Sequence, residues 1–99
     1  MSATVVSYQA RPERAQENQR LIEGVFAELE AKQPVGFTYK VFRLEDGVSF
    51  VHVVIEHDDV DEPDSLQDVD AFQAFVAGIG ERCDVPPVAM GATLIGGYR

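Results

Sequence analysis

His52 stands inside the run Phe50-Val51-His52-Val53-Val54-Ile55, where every neighbour is apolar, and is the side chain best suited to move a proton. An imidazole titrates near neutrality, so a neutral one in an apolar pocket can accept a proton from a phenol or an enol. The structural alternative is a buried histidine hydrogen-bonded across a sheet or at a subunit interface. Tyr39 and Arg43 fall on the same expected face as His52, together with Glu56, and are candidate substrate-binding residues. A phenol can donate to a ligand oxygen, and a guanidinium can orient an anionic group. Asn18 is the third candidate binding residue, because it interrupts the apolar series Ala15, Ile22, Val25 and Leu29. An amide there lines a cavity, unless the first turns of its helix overhang the sheet and leave it in water. The competing structural roles are plain: Tyr8 and Tyr39 as tyrosines at the edge of a core, Arg43 as an exposed residue near a hairpin end, and Arg82 as a cation answering a helix dipole.

Other chemistry finds less support. The lone cysteine, Cys83, excludes an internal disulfide and a multi-cysteine zinc site, and Asp84 beside it opposes a thiolate. The run His57-Asp58-Asp59-Val60-Asp61-Glu62-Pro63-Asp64 offers oxygens to a hard cation. It lacks the central glycine and the closing acid of a calcium loop, so it reads as a solvated connection and no metal is expected. GxGxxG, GxxxxGK[ST] and GxSxG are absent, which leaves nucleotide binding and serine hydrolysis without a motif.

The elements that must carry these residues follow from periodicity. Thr4 to Ala10 is rich in β-branched and aromatic residues and reads as a strand. Pro12 and Glu13 suit the first turn of a helix whose stripe of Ala15, Asn18, Ile22, Val25 and Leu29 carries it to about Lys32, where Pro34 and Gly36 stop it. Phe37 to Leu44 and Val48 to Glu56 read as two strands joined by a two-residue turn at Asp46-Gly47. That turn sets Val41 opposite His52, Tyr39 opposite Val54 and Arg43 opposite Phe50. A second helix over 68–82, capped at Ser65 or Asp68, has Phe72, Phe75, Val76, Ile79 and Cys83 on one face, with Gly78 and Gly80 weakening its second half. Pro86-Pro87 should break the chain before a last strand, Val88 to Ile95.

The order β-α-β-β-α-β is the ferredoxin-like, split βαβ pattern of an α+β fold. It makes a four-stranded antiparallel sheet with both helices on one face of a single domain over residues 1–99. Both faces of the central hairpin are apolar: Phe37, Tyr39, Val41, Phe50, His52 and Val54 on one, Phe42, Leu44, Val51, Val53 and Ile55 on the other. The face without helices therefore calls for a second copy of the chain, and a homodimer is expected.

This pattern, from Val5 to about Tyr98, resembles the dimeric α/β-barrel superfamily and within it the antibiotic-biosynthesis-monooxygenase-like domains. The resemblance implies two sheets packed back to back and an apolar pocket between sheet and helices in each subunit. It also implies a cofactor-independent oxygenase in which a carbanion or phenolate, formed with His52 as base, reacts with dioxygen without metal or flavin. Haem-degrading members use a tryptophan and a histidine on the second helix; this chain has no Trp and no His over 68–82, so no cofactor is expected. Two further functions share the fold: a non-catalytic small-ligand-binding or regulatory dimer, and a module serving dimerisation alone. With 17 acidic and 8 basic residues and a net charge of −9, the chain should repel nucleic acid and anionic membrane surfaces. No apolar run is long enough to span a bilayer, and the polar start Met1-Ser2-Ala3-Thr4 does not resemble a signal peptide, so a cytoplasmic location is expected.

Overall fold

The computed structural model describes residues 2–98. Strand β1 (Ser2–Ala10) leads through a 3-10 turn at Pro12–Arg14 into helix α1 (Ala15–Lys32). Strands β2 (Phe37–Arg43) and β3 (Ser49–Glu56) form the central hairpin. A second 3-10 turn, Leu66–Asp68, precedes helices α2 (Asp70–Ala77) and α3 (Ile79–Arg82), and strand β4 (Cys83–Thr93) closes the sheet. The strand order is β2-β3-β1-β4 with every pair antiparallel. This is the ferredoxin-like architecture that the alternation of element types implies.

The hairpin register is the one expected, with Val41 opposite His52, Tyr39 opposite Val54 and Arg43 opposite Phe50. The turn is wider than two residues. Leu44 N–H donates to Ser49 C=O at 2.8 Å across it, and Gly47 N–H donates to Leu44 C=O at 3.0 Å. Its centre still falls between Asp46 and Gly47, so the register survives the change in loop length. The Asp46 carboxylate holds the loop by accepting from the backbone N–H groups of Val48 (3.0 Å) and Ser49 (2.8 Å) and from the Ser49 hydroxyl. These bonds keep that carboxyl ionised below the usual carboxylate range.

Two expectations need correction. The second helix is not continuous over 68–82: it breaks at Gly78 (φ −110°, ψ 9°) into α2 and α3, and Cys83 begins a strand instead of ending a helical stripe. The break has a steric reason. A Cβ at Gly78 would lie 2.9 Å from Arg82 Nη1, so the glycine lets the arginine fold back under the helix. Nor does Pro86-Pro87 delay the last strand, which starts at Cys83. β4 is an edge strand, and both prolines lie where its register against β1 shifts between Val88 and Val85, so no ladder hydrogen bond is lost to them.

One face of the sheet is covered. Tyr8, Ala10, Tyr39 and Phe50 meet Ala15, Ile22 and Val25 of α1 and Phe75 of α2 in a single buried layer closed by Leu66 and Val69. Among the described residues no element covers the opposite face, and Phe42, Leu44, Val88 and Met90 on it are 46–68% exposed. The connection over 57–65 is tied to the body at its ends: His57 N–H donates to Gly36 C=O, Asp64 N–H donates to Val35 C=O, and the Asp64 carboxylate accepts from Val35 N–H at 2.7 Å. Gly36 sits at φ +100°, and a Cβ there would lie 2.3 Å from Pro63 Cβ. Gly47 has φ +80° but open space around it. Gly36→Ala should therefore cost about 3 kcal/mol of stability from strain and overpacking together, against about 1 kcal/mol for Gly47→Ala, which pays only the left-handed backbone. Urea unfolding of the two variants checks the order; equal losses would show that Pro63 is not packed on Gly36.

Candidate functional site

Alternation along β1, β2 and β3 turns Tyr8, Tyr39 and His52 to the covered face, and antiparallel pairing brings them together. Val6 is directly opposite His52, and Tyr8 is one step along. Tyr8 Oη lies 2.7 Å from His52 Nε2, and Tyr39 Oη lies 2.7 Å from His52 Nδ1. The imidazole thus bridges two phenols and stacks on Phe75 at 5.3 Å between centroids. Tyr39 is wedged against Phe26 at 5.1 Å and meets the edge of Phe72.

Asn18 extends the cluster from α1. It is fully buried, not solvated, because the helical stripe that carries Ile22 and Val25 also points this residue at the sheet. Its amide Nδ2 donates to Tyr8 Oη at 2.8 Å, while its Oδ1 accepts from Arg82 Nε at 3.1 Å. A guanidinium can only donate, so Arg82 settles which way the amide faces. Arg82 is 3% exposed; its Nη2 donates to the Phe75 carbonyl at 2.6 Å, and its guanidinium lies 5.1 Å from the Phe75 ring centroid. Among the described residues no carboxylate forms an ion pair with it. The series Tyr39, His52, Tyr8, Asn18, Arg82 is one continuous string of hydrogen bonds.

Burial controls the protonation of this string. Desolvation holds His52 neutral, lowering its pKa to about 4. The phenols of Tyr8 and Tyr39 are pushed up, chiefly by burial; at Tyr8 the Asn18 hydrogen bond and the Arg82 charge oppose that rise without cancelling it. The cluster is therefore neutral from Tyr39 to Asn18 and cationic only at Arg82. Both imidazole nitrogens are occupied, so His52 can exchange a proton with a ligand only through a tyrosine hydroxyl.

An apolar cavity of about 190 Å3 lies against this string, walled by Val6, Val54, Phe72, Phe75, Ile79 and Pro87 along with Tyr8, Tyr39 and His52. Val6, Val54 and Phe72 also border a larger cleft of about 520 Å3 beside Glu56, His57 and Asp64. Of the residues singled out by sequence, His52, Tyr39 and Asn18 converge. Arg43 does not: it is exposed at the hairpin end, where it donates to the Gly47 carbonyl and to Gln16 and Gln19 and lies over Phe50 at 5.6 Å. Glu56 is exposed at the far end of β3 beside Ser2. Tyr8 and Arg82 join the cluster without having been chosen. Tyr8 had a signal, its phase with Val6 and Ala10; Arg82 had another, as one of few cations in an acidic chain, but its place at a helix end favoured a structural role. Cys83 begins β4 as a buried residue whose thiol is pushed up by burial. Among the described residues no group of three or more His, Cys, Asp or Glu side chains is placed to hold a metal ion, and no helix is long and apolar enough to cross a membrane.

The architecture is shared with solved proteins. The chain superposes on the Mycobacterium tuberculosis protein Rv0793 with a TM-score of 0.74 at 16% identity, covering 99% of this chain and 98% of that one. A protein from Caulobacter crescentus named as a candidate antibiotic biosynthesis monooxygenase gives 0.70 at 21% identity, covering 96% and 90%. Another so named, from Nitrosomonas europaea, gives 0.76 at 9% identity, covering 97% and 100%. The chain therefore has the ferredoxin-like fold of the antibiotic-biosynthesis-monooxygenase-like proteins; identities this low establish the fold alone. No protein-family model and no curated protein matches the sequence.

The pKa of His52 has a thermodynamic consequence. The unfolded chain takes up a proton near pH 6.5, and the folded one near pH 4. Between these values the unfolded state binds more protons, so stability contributed by neutral His52 is complete above pH 6.5 and is lost as pH falls toward 4. Over the window from pH 6.5 to 4.5, above most carboxylate titration, this amounts to about 2–3 kcal/mol. Urea midpoints across that window should fall in the wild type and stay nearly level in His52→Gln; a level wild-type curve would contradict the buried neutral imidazole.

Proposed function

We propose that this protein is a cofactor-independent oxygenase acting on a small apolar or aromatic molecule held in the cavity between the sheet and α2. The observation that carries the reading is an apolar cavity backed directly by a buried tyrosine–histidine–tyrosine string. The cavity, near 190 Å3, is below the ~300 Å3 at which ordinary ligand pockets begin, which limits any substrate to one or two rings and is also the size expected of a module serving dimerisation alone. The chemistry suited to such a wall begins with a ring-bearing ketone whose CH2 is acidic. Loss of a C–H proton gives an enolate. The carbanion passes an electron to dioxygen, a C–O bond forms, and the resulting peroxide loses water to leave a second carbonyl. The balance, R–CH2–R′ + O2 → R–CO–R′ + H2O, needs no external reductant, because the carbon supplies all four electrons.

His52 is the catalytic centre of this reading, and it works through Tyr39. A proton taken from a group of pKa ~10 and left on an imidazole of pKa ~4 would cost about 8 kcal/mol. That is affordable for a moment within a barrier of about 16 kcal/mol, which corresponds to a turnover of about 10 per second, but not as a resting state. The imidazole therefore holds the proton only in passing: the Tyr39 oxygen takes the C–H proton as its own hydroxyl proton moves to Nδ1, and the same path returns it to the peroxide from which water leaves. Asn18 positions Tyr8. 2-Indanone, whose CH2 groups are both benzylic and next to the carbonyl, is a suitable first substrate. The wild type should consume oxygen with it and form the dione with one atom from 18O2, and His52→Ala should lower the rate at least 100-fold with unchanged circular dichroism. Binding of the ketone with no oxygen consumed would replace this reading with that of a non-catalytic small-ligand-binding dimer.

The reading includes a homodimer through the uncovered sheet face. Phe42, Leu44, Val88 and Met90, with Val5, Val51 and Val53 between them, make a continuous apolar surface across all four strands, which a lone subunit would leave wet. Sedimentation should give the mass of two chains, and Val53→Asp should give one. A folded wild-type single chain at micromolar concentration would remove the dimer from the proposal.

A further inference from the structure

The cleft at the Glu56 end of the sheet differs from the apolar cavity in both size and lining. At about 520 Å3 it falls within the ~300–1,000 Å3 range of ligand pockets. Its floor follows from the strand register. Ser2 and Phe37 are each directly opposite Glu56, and Thr4 is directly opposite Val54. Cross-strand neighbours of this kind stand about 5 Å apart at Cβ. Glu56 therefore rises between an aromatic ring and a hydroxyl, with Val54 next to it on the same face. Phe72 of α2 adds an apolar wall. The connection over 57–65 forms another wall, held in place by the packing of Pro63 on Gly36 and the bond from Val35 N–H to Asp64.

Two independent features of this lining describe the two halves of one ligand. Val6, Phe37, Val54 and Phe72 are only half-buried, although they lie between sheet and helices. Water against such walls is displaced favourably by an apolar or aromatic body. The charged lining is of one sign: Glu56, Asp58 and Asp64, with no lysine or arginine. Several polar side chains of the cleft are engaged elsewhere. Asp64 accepts from Val35 N–H, the Ser65 hydroxyl accepts from Gln67 N–H at 3.3 Å, and His57 Nε2 lies 2.6 Å from Thr38 Oγ1. Glu56 has a single side-chain contact among the described residues, Ser2 Oγ at 3.5 Å, which is longer than a good hydroxyl hydrogen bond. A carboxylate with spare acceptor capacity beside an aromatic ring suits an ammonium group, which gains a charge-assisted hydrogen bond from one and a cation–π contact from the other.

We infer that this cleft binds a small organic cation, a primary ammonium carried on a compact ring-bearing body, with the charge at Glu56 and the ring against Phe37, Val54 and Phe72. The cleft shares Val6, Val54 and Phe72 with the apolar cavity, but the inference uses neither the tyrosine–histidine–tyrosine string nor oxygen, and it goes beyond the oxygenase reading without resting on it.

Titration of the full chain with 2-phenylethylammonium at physiological salt, followed by amide NMR, tests the site. The signals of Thr4, Val54, His57 and Ser65 should move together. Two controls divide the ligand: 3-phenylpropionate keeps the ring and reverses the charge, and ethylammonium keeps the charge without the ring. Each should bind at least about tenfold more weakly. Glu56→Gln, at an exposed position, should weaken 2-phenylethylammonium about fivefold, and Phe37→Leu should do the same. Glu45→Gln, on the exposed hairpin loop, should change nothing. An equal loss in Glu45→Gln would assign the binding to the general field of an acidic chain and overturn the inference. So would ethylammonium binding as tightly as the ring-bearing amine, no effect of Glu56→Gln, or shifts centred on Val76 and Ile79 in the apolar cavity. Should Phe37→Leu fail to fold, the Glu56 variant and the two control ligands decide the matter. No readout depends on turnover, so the failure of this site and the failure of the oxygenase reading are separate results.

Discussion

An imidazole, two phenols, an amide and a guanidinium share one layer between sheet and helices, and the layer is tolerable only because each group satisfies the next. Leaving one buried donor or acceptor without a partner costs about 1–3 kcal/mol, and more where the group is charged. That is a large share of what a domain of 99 residues has to spare. Among the described residues no buried polar side-chain atom lacks a partner. The rest of the covered face is arranged around this condition. α1 has to bring Asn18 to Tyr8, and α2 has to end at Gly78 so that Arg82 can reach back to both Asn18 and the Phe75 carbonyl.

The break in the second helix is the clearest case of local structure yielding to this requirement. Glycine inside a helix costs about 1 kcal/mol relative to alanine, and two of them, Gly78 and Gly80, sit within three residues. A buried guanidinium with no partner would cost several times more. Arg82 has no carboxylate to neutralise it among the described residues; its charge is met by a carbonyl at the end of α2, an amide oxygen and the face of an aromatic ring. The negative end of the helix dipole is the natural place for such a cation. What a dipole argument alone does not convey is that the same side chain orients an amide ten residues from the tyrosine it serves.

The fold was legible because its determinants are local. Periodicity placed α1 and the central strands, and the centre of the Asp46-Gly47 turn fixed the register that sets Val41 against His52. What escaped was decided by tertiary context. Pro86 and Pro87 look like chain breakers, yet on an edge strand at a register shift they cost no ladder bond. Asn18 and Arg82 look like surface residues by type, and only the convergence of α1 and α3 on β1 takes them out of water. Arg43 fails as a site residue for the opposite reason. It has the right face but stands exposed at the end of the hairpin, where Gln16, Gln19 and the Gly47 carbonyl take its guanidinium.

The same physics separates a residue that is chemically capable from one that is placed to act. His52 has the right intrinsic pKa for a base, but desolvation takes it to about 4, and both ring nitrogens are engaged. The burial that keeps the imidazole neutral at any physiological pH also denies it direct access to a ligand. In the proposed function its contribution would pass through a phenol of much higher pKa, which gives up a proton reluctantly.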